Sequence, residues 1–218
     1  MTAYPEPVVD ALAARVAPLV PGPEGPRRIV AIAGPPGSGK STLGAQLVAA
    51  LLARGHAAVL MPMDGFHLDD RILEPRGLLP RKGAPETFDF AGFAATLRRV
   101  RDDPSVMLPV FDRAREIAIA GAEEIGPQTR LVVVEGNYLV LDEDPWRALA
   151  PLWDLTVFLD VAMAELEERL VGRWLSFGLA PDEARVRALS NDLPNARRVL
   201  VARGPVDVIL RGGALVPG

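Results

Sequence analysis

The stretch from Gly34 to Thr42 constrains this chain more than any other, because it fits the pattern G-x-x-x-x-G-K-[ST] in the required setting. The apolar run Ile29–Ala33 comes directly before it and predicts a buried strand, and a helical pattern follows it. Glycines in such a turn let successive backbone N–H groups point into one concavity at a helix N-terminus, where an anion binds. The sequence therefore predicts a strand, a phosphate-binding loop and a helix in succession.

All nine residues of this loop are expected to contact a bound nucleoside triphosphate. In such loops the lysine, here Lys40, reaches the terminal phosphates, and the next hydroxyl, here that of Ser41, binds Mg²⁺. An ordinary Gly/Pro turn is the alternative, but every fixed position of the pattern is filled. The nine residues are Gly34, Pro35, Pro36, Gly37, Ser38, Gly39, Lys40, Ser41 and Thr42. ATP and Mg²⁺ are the expected ligands.

Composition limits the kind of protein that carries this loop. The 218 residues are 49% hydrophobic, enough for one large domain with its own core, and they include no cysteine. A formal net charge of −4 argues against a sequence-independent nucleic-acid binder, which would carry a basic stripe. The chain starts without the basic and apolar regions of a secretion signal, and it has no apolar run near the roughly 20 residues that span a bilayer. We therefore expect a cytoplasmic protein without nucleic-acid or membrane partners. The sequence leaves open whether it forms a homodimer.

Apolar periodicity predicts alternating helices and strands along the rest of the chain. Helical spacing favours an amphipathic helix over Pro7–Val20, followed by a Pro/Gly-rich linker at 21–26. The predicted strands are 29–33, 57–63, 131–134, 156–159 and 206–210, with a short extended piece at 106–111; the predicted helices are 42–53, 90–101, 164–175 and 182–189. This order implies an α/β fold of the three-layer P-loop NTPase type, with a five-stranded parallel sheet and helices on both faces.

Acidic residues follow two of the predicted strands at the point where each strand ends. Asp64 opens the sequence Asp-Gly-Phe-His, and Glu135 follows four apolar residues. Because the carboxyl ends of parallel strands meet at one edge of a sheet, we expect both carboxylates beside the phosphate loop. Phosphoryl transfer to a hydroxyl uses a carboxylate that orients the acceptor and takes its proton, and Mg²⁺ that neutralises the phosphates. Asp64 is therefore a candidate catalytic residue, and Ser41, Asp64 and Glu135 are candidate Mg²⁺ ligands; a turn-forming Asp-Gly pair and a strand-end cap are the alternatives.

Arg169 and Arg173 lie four residues apart in a predicted helix, so their side chains project from one face. Paired arginines on a mobile segment can clamp a transferring phosphoryl group. Salt bridges to neighbouring glutamates are the alternative, and the sequence leaves both open. With Lys40 and Asp64 the two arginines complete the candidate catalytic set.

Polar residues in loops near the same edge are candidates to contact a small-molecule hydroxyl acceptor. They are Asp64, His67, Arg81, Lys82, Asp112, Arg113 and Asn137. For the loop histidine and the basic pair, an ordinary solvated residue is the alternative. The sequence therefore predicts where an acceptor binds but not which molecule it is.

The order of the motifs resembles the phosphoribulokinase/uridine kinase superfamily. Besides the phosphate loop, the matching segments are Met63–His67, Arg76–Asp89, Pro109–Asp112 and Val134–Asn137. The segment from Asp64 to Asp89 is most similar to bacterial pantothenate kinases, and the short overall layout is similar to the small fructose-transport-system kinases. The resemblance covers most of the chain.

This resemblance implies an ATP-dependent kinase that transfers the γ-phosphoryl group to a hydroxyl of a small metabolite, for example a sugar such as fructose. It implies that Asp64 activates the acceptor and that Ser41 and Glu135 are further ligands of the metal ion. It also implies that Arg169 and Arg173 belong to a small helical lid around 165–190. Residues 1–26 are then an N-terminal helix and linker, and 27–218 are the kinase domain. A nucleoside, pantothenate or a nucleoside monophosphate as acceptor, and a regulatory NTPase or GTPase switch without an acceptor, are the alternatives.

Departures from the family pattern bear on the acceptor. Bacterial pantothenate kinases are considerably longer, and their acceptor-site additions have no counterpart in this chain. Arg115 and Glu116 stand near the place where uridine kinases carry a histidine, and Phe177–Leu179 replace an Arg-Gly-Arg of the lid. The segment Asn191–Asn195 matches a loop that lies near the nucleotide or the acceptor in related kinases. The resemblance therefore does not identify uridine or pantothenate as the substrate.

Overall fold

A six-stranded sheet forms the centre of the protein. The computed structural model describes residues 3–22 and 25–218, so part of the predicted linker at 21–26, and residues 1 and 2 of the predicted N-terminal segment, lie outside the described residues. The strands are β1 (Arg28–Ala33), β2 (Ala58–Pro62), β3 (Val106–Asp112), β4 (Ile117–Ile125), β5 (Leu131–Gly136), β6 (Leu155–Asp160), β7 (Val208–Arg211) and β8 (Ala214–Pro217). The large sheet has the order β2-β5-β1-β6-β7-β8, and β3 and β4 form a separate hairpin.

The large sheet is mixed and has six strands, so the predicted sheet of five parallel strands is not confirmed. The five predicted strands do pair in parallel, but β8 adds a sixth strand that runs antiparallel to β7. The two-residue turn Gly212–Gly213 has positive φ at both positions, which suits a tight hairpin between these strands. A glycine pair is typical of such a hairpin, but the sequence analysis did not predict one here.

Helices cover both faces of the sheet. They are α1 (Glu6–Val16), α2 (Lys40–Ala53), α3 (Asp70–Leu73), α4 (Phe90–Asp102), α5 (Met163–Ser176), α6 (Pro181–Arg187) and α7 (Leu193–Val201). Val30 and Ile32 of β1 share a buried cluster with residues of α1 and α2, whereas Ile29 and Ala31 share one with residues of α4. The strand is apolar on both faces because both faces are covered. The predicted α/β fold is confirmed.

Helix α1 is shorter than predicted. It ends at Val16 and continues as a 3-10 turn over Ala17–Leu19, instead of running as an α-helix to Val20. Pro18 lies in that turn and has no backbone N–H to donate, so it cannot extend the α-helical hydrogen bonding. Within the described residues, no helix is long and apolar enough to cross a membrane.

The hairpin of β3 and β4 leans over the carboxyl edge of the sheet. Of this hairpin the sequence predicts only a short extended piece at 106–111. It does not predict β4, because β4 is largely exposed and rich in alanine, glycine and glutamate. Strand β3 comes so close to the turn after β2 that a Cβ on Gly65 would lie 2.2 Å from the carbonyl oxygen of Pro109. Only glycine allows this approach, which brings the hairpin tip to the predicted site.

Helices α5, α6 and α7 form a small helical subassembly beside the phosphate loop. Its core contains Leu166, Leu170 and Leu193, and a π-helical turn over Ala188–Asp192 joins α6 to α7. The predicted loop at Asn191–Asn195 is wrong, because these residues lie in that π-helical turn and in the first turn of α7. A proline in the first turn of a helix is compatible with helical geometry, so Pro194 does not interrupt α7.

Candidate functional site

The carboxyl edge of the sheet brings together the residues that the sequence assigned to the phosphates and the metal. The loop after β1 leads into α2, Asp64 lies in a 3-10 turn directly after β2, and Glu135 lies near the end of β5. The hydroxyl of Ser41 donates to Oε1 of Glu135 at 3.0 Å. The ammonium of Lys40 donates to the carbonyl oxygen of Pro35 at 2.9 Å, inside the loop.

Burial shifts the proton affinities of the charged groups beside the loop. Lys40 is 7% exposed, and burial lowers the pKa of its ammonium to about 8, against the opposing effect of the Glu135 and Asp64 carboxylates. Glu135 is 6% exposed, and burial together with the nearby Asp64 raises the pKa of its carboxyl group. These groups lie out of water, where their interaction with an incoming anion or cation is strong.

The donor set beside the loop fits Mg²⁺. Mg²⁺ prefers oxygen ligands and in phosphate-transfer sites takes only one or two carboxylates, completing its shell with phosphate and water oxygens. The Ser41 hydroxyl and the carboxylates of Asp64 and Glu135 are such a set, whereas the described residues hold no cluster of three or more His, Cys, Asp or Glu that would bind a metal alone. Two buried polar atoms in the described part of the chain, Ser38 Oγ and Arg173 Nε, have no partner, and both residues belong to the loop or to its surroundings.

The outer surface of the phosphate loop is held by two side chains from distant segments. Nη1 of Arg169 donates to the carbonyl oxygens of Gly37 and Ser38, each at 3.2 Å. The hydroxyl of Tyr4 also donates to Ser38 O, at 3.0 Å, and the Tyr4 backbone exchanges two hydrogen bonds with the amide of Gln46. Both side chains bind the loop through its carbonyl oxygens, so neither of them occupies a loop N–H group that could bind phosphate.

The two arginines of α5 have different surroundings. Arg169 forms an ion pair with Glu165, in addition to its bonds with the loop. Arg173 faces the cavity beside the loop, where its guanidinium lies 3.0 Å from Oδ2 of Asp192 and over the ring of Trp174. In this structure both arginines are in ion pairs and both line the cavity beside the loop.

A cavity of about 600 Å³ extends from the phosphate loop to the hairpin tip. It is large enough for the phosphates of a nucleotide and a small acceptor. Thirteen of the residues that the sequence predicted line it: Pro36, Gly37, Gly39, Lys40, Ser41, Asp64, His67, Lys82, Arg113, Glu135, Asn137, Arg169 and Arg173. Asp64 lines the cavity and is ion-paired with Arg113 at the hairpin tip. We call the part of the cavity that is lined by His67, Lys82, Phe111, Arg113 and Glu116 the acceptor end.

Arg113 and Lys82 bring positive charge to the acceptor end. The Arg113 guanidinium, at the hairpin tip, forms an ion pair with the carboxylate of Asp64. The Lys82 ammonium donates to Oδ1 of Asp70 at 2.6 Å and to the carbonyl oxygen of Glu116 at 2.8 Å, and it lies 5.5 Å from the centre of the Phe111 ring. The hairpin tip is thereby fastened to the turn after β2 and to the segment that carries Lys82.

Side chains from other elements fix the segment around Lys82. The amide of Asn191 donates to the carbonyl oxygen of Lys82 at 2.8 Å, and Asn195 donates to Asn191. The buried hydroxyl of Tyr138 donates to the carbonyl oxygen of Gly83 at 2.5 Å. Through Asn191, the π-helical turn therefore supports the acceptor end.

His67 lies at the acceptor end with a defined orientation. Its Nδ1 is 2.7 Å from the carbonyl oxygen of Asp64. Its ring lies between the rings of Phe88 and Phe111. Burial lowers the pKa of its imidazole, against the opposing effect of the Asp64 carboxylate. The histidine is therefore half-buried beside the carboxylate that the sequence assigned to the acceptor.

Two predicted acceptor residues are not brought to the cavity. Arg81 points to Glu86, with 3.5 Å between the charged atoms. Asp112 forms an ion pair with Arg115 at 2.7 Å, which lowers the pKa of its carboxyl group. Both pairs lie beside the acceptor end and support its segments.

Sequence reasoning missed several residues of the site. Tyr4 precedes the predicted first helix and carries no motif, and Phe111 lies in the matching segment Pro109–Asp112 but is not among the predicted site residues. Glu116 lies at the hairpin tip with a φ of 55°, a strained conformation for a non-glycine residue, and Lys82 holds its carbonyl oxygen. No local pattern marks these positions, because each acts through a contact with a distant segment.

Comparisons with known proteins agree with this geometry. Residues 29–171 match the family model described as the phosphoribulokinase/uridine kinase family. A crystal structure of a "putative fructose transport system kinase" from Silicibacter sp. TM1040 is 53% identical, covers 93% of this chain and 98% of its own, and superposes with a TM-score of 0.90.

Two curated relatives are more distant. YggC of Escherichia coli K12, described as an uncharacterized protein, is 36% identical over 84% of this chain and 77% of its own. A "putative uridine kinase" of Schizosaccharomyces pombe is 33% identical over 85% of this chain and 83% of its own. The residues 29–171 that match the family model include the phosphate loop, both carboxylates and the hairpin of β3 and β4.

Proposed function

Because the chain belongs to the phosphoribulokinase/uridine kinase family, we propose that it is an ATP-dependent kinase that transfers the γ-phosphoryl group to a hydroxyl of a small metabolite. One observation carries this proposal: Asp64 lines the same cavity as the phosphate loop and is ion-paired with Arg113 at the hairpin tip. A nucleotide switch needs the loop and the metal ligands but has no use for a carboxylate that faces a second compartment. The acceptor end therefore favours a kinase over a switch.

On the nucleotide side, the chain holds and orients the triphosphate. The loop N–H groups and the Lys40 ammonium bind its phosphate oxygens, and Arg173 is placed to contact the transferring group once its pair with Asp192 opens. Ser41, Asp64 and Glu135 would hold Mg²⁺, which neutralises charge on the β and γ oxygens. Since the transition state of phosphoryl transfer is loose, charge and positioning contribute more than the strength of the base.

On the acceptor side, Asp64 orients the hydroxyl and receives its proton. Arg113 is paired with this carboxylate, so an acceptor that reaches Asp64 replaces or shares that contact. The hairpin and the Lys82 segment enclose the acceptor end and keep water away from the transferring group. ATP would then be hydrolysed slowly unless an acceptor is present.

We propose a sugar such as fructose as the first acceptor to test. The name of the Silicibacter protein, which is 53% identical, supports this choice. A nucleoside is the second candidate, because the Schizosaccharomyces pombe relative is named after uridine kinases, and pantothenate is the third. We also propose that the enzyme works in the cytoplasm with ATP and Mg²⁺, and that it needs no nucleic-acid or membrane partner.

The experiment that tests the proposal is release of ADP from ATP and Mg²⁺ against a panel of sugars, nucleosides, pantothenate and glycerate. We expect at least one acceptor to raise the rate well above the rate with ATP alone. A nucleotide switch would instead give the same rate with every compound and with none.

A further inference from the structure

A second concave surface lies between α5 and α7, apart from the cavity at the phosphate loop. It is a groove of about 780 Å³, and none of the residues that line it also lines that cavity. The proposed phosphoryl transfer therefore makes no use of it. We call it the α5–α7 groove; its walls include Met163, Ala164 and Glu167 of α5, and Leu193, Arg197 and Val201 of α7.

Large apolar side chains are exposed along this groove. Val201 is 81% exposed, the highest value for a large hydrophobic residue in the described part of the chain, and Leu189 is 42% exposed. Exposed apolar side chains that lie together and are bordered by polar ones mark interaction sites on soluble proteins. The groove therefore has the composition of a protein contact.

Helix α7 has one covered face and one uncovered face. Ala196 and Val199 are buried against the rest of the protein. Pro194, Arg197 and Val201 follow at the spacing i, i+3 and i+7, so they share the opposite face, and all three are exposed. Within the described residues nothing covers this outer face, which forms one wall of the groove.

The two walls of the groove carry opposite charges. Glu167 on the α5 wall lies 3.8 Å from the Arg185 guanidinium, at the long end of the ion-pair range. On the α7 wall, Arg198 is held by Glu86 and Glu143. The guanidinium of Arg197, in contrast, has neither an ion-pair nor a hydrogen-bond partner among residues 3–22 and 25–218. One wall thus offers a carboxylate and the other an unpaired cation.

We propose that the α5–α7 groove is a self-association surface, and that its partner is a second copy of this chain. In a dimer with a two-fold axis along the groove, the α5 wall of each copy faces the α7 wall of the other. Glu167 of each copy then lies against Arg197 of the other copy, and the two grooves cover both Val201 side chains. The contact is self-complementary, as a two-fold dimer requires.

The mixed charge favours a copy of the same chain over other partners. A nucleic acid binds to a surface of uniformly positive charge, whereas the unpaired cation of this groove faces a carboxylate on the opposite wall. A strongly acidic or basic protein would be attracted by one wall and repelled by the other. The formal net charge of −4 on 218 residues also leaves little repulsion between two copies.

The mass of the full chain in solution tests this inference without any substrate. We expect sedimentation velocity between about 1 and 200 µM to show a concentration-dependent change from 23.3 kDa to twice that mass, as for a small interface. Val201→Glu places a carboxylate in the apolar contact and should raise the dissociation constant of the dimer at least tenfold. Val186→Glu is the matched control, because Val186 is 65% exposed on α6 and does not line the groove. A monomer at every concentration, or equal dimers in wild type and Val201→Glu, would overturn the inference.

Charge reversal tests how the two copies are arranged. Glu167→Arg brings two guanidinium groups together across the axis, and Arg197→Glu brings two carboxylates together, so each should raise the dissociation constant of the dimer at least tenfold. The double variant Glu167→Arg/Arg197→Glu exchanges the charges and should dimerise within about threefold of wild type. Single variants that dimerise normally, or a double variant as weak as either single one, would overturn the two-fold arrangement. None of these measurements involves ATP or an acceptor, so their outcome is independent of the proposed kinase activity.

Discussion

The two ends of the cavity are built in different ways. The phosphate end comes from one contiguous stretch, Gly34–Thr42, with two carboxylates that follow or end neighbouring strands. In the proposed function it would bind its ligand largely through backbone N–H groups. The acceptor end is assembled from side chains of the turn after β2, the Lys82 segment, the hairpin tip and the π-helical turn. Backbone recognition is set by local conformation, whereas the acceptor end depends on how four distant segments pack. This difference explains how one family keeps its nucleotide site while its acceptors vary.

The two ends of the cavity also differ in how deeply their charged side chains are buried. Lys40 and Glu135 at the phosphate end are 7% and 6% exposed, whereas the side chain of Arg113 at the acceptor end is 61% exposed. Water screens an exposed charge, so its removal changes the free energy of binding much less than the removal of a buried one. Substitutions should therefore have large effects on catalysis and nucleotide binding and smaller effects at the hairpin tip.

The largest effect is expected at the boundary between the two ends. Asp64→Asn removes the group that receives the proton and should lower kcat by about 10²- to 10⁴-fold, the usual contribution of a general base. The dissociation constant of ATP, measured by calorimetry, should change little, because the loop and Lys40 still hold the phosphates. Asp112→Asn is a matched control, since its carboxylate pairs with Arg115 outside the cavity. Near-normal turnover by Asp64→Asn would show that it has another role.

A pH titration sharpens the contrast between buried and exposed charge. The Lys40 pKa of about 8 means that the free enzyme loses this positive charge as the pH rises through 8. Bound phosphates favour the charged form, so affinity for ATP should fall by up to about tenfold per pH unit above that point. The dissociation constant of ATP is measured from pH 6.5 to 9.5. A constant affinity across this range would mean that Lys40 stays fully charged in the free enzyme.

At the acceptor end, Arg113→Ala should act on the acceptor alone. Loss of the guanidinium removes a partner of Asp64 and a positive charge from this end, and we expect KM for the acceptor to rise about three- to tenfold. KM for ATP should stay the same, as measured with saturating acceptor. Arg115→Ala is the control, because Arg115 has the same exposure but pairs with Asp112. Equal effects of the two substitutions would indicate only a general influence of the hairpin.

The smallest effect is expected on the outside of the phosphate loop. Tyr4→Phe removes one hydrogen bond to Ser38 O, while Arg169 still donates to the same oxygen. Loss of a neutral bond of this kind corresponds to about 1 kcal/mol or less, so KM for ATP should rise about two- to threefold. KM for the acceptor serves as the internal comparison, and a selective change in that constant would contradict the assignment of Tyr4 to the nucleotide side.

The difference between the phosphate end and the acceptor end also explains which features could be predicted from the sequence. Strands β1 and β5 are continuous apolar runs, and the loop, Asp64 and Glu135 follow them directly, so local pattern and strand polarity were sufficient. Strand β4 is largely exposed and lacks such a run, and β8 depends on a glycine turn. The Asp64–Arg113 pair joins residues 49 positions apart, and the bond of Asn191 to Lys82 joins residues 109 positions apart. No local pattern encodes those contacts.

The most direct test of the central claim is ³¹P NMR of the products formed from ATP and Mg²⁺ in the presence of the accepted compound. Phosphoryl transfer predicts a new phosphate monoester resonance that grows in equal amount with ADP, and little inorganic phosphate. Formation of inorganic phosphate alone, at a rate that does not depend on any acceptor, would contradict the account.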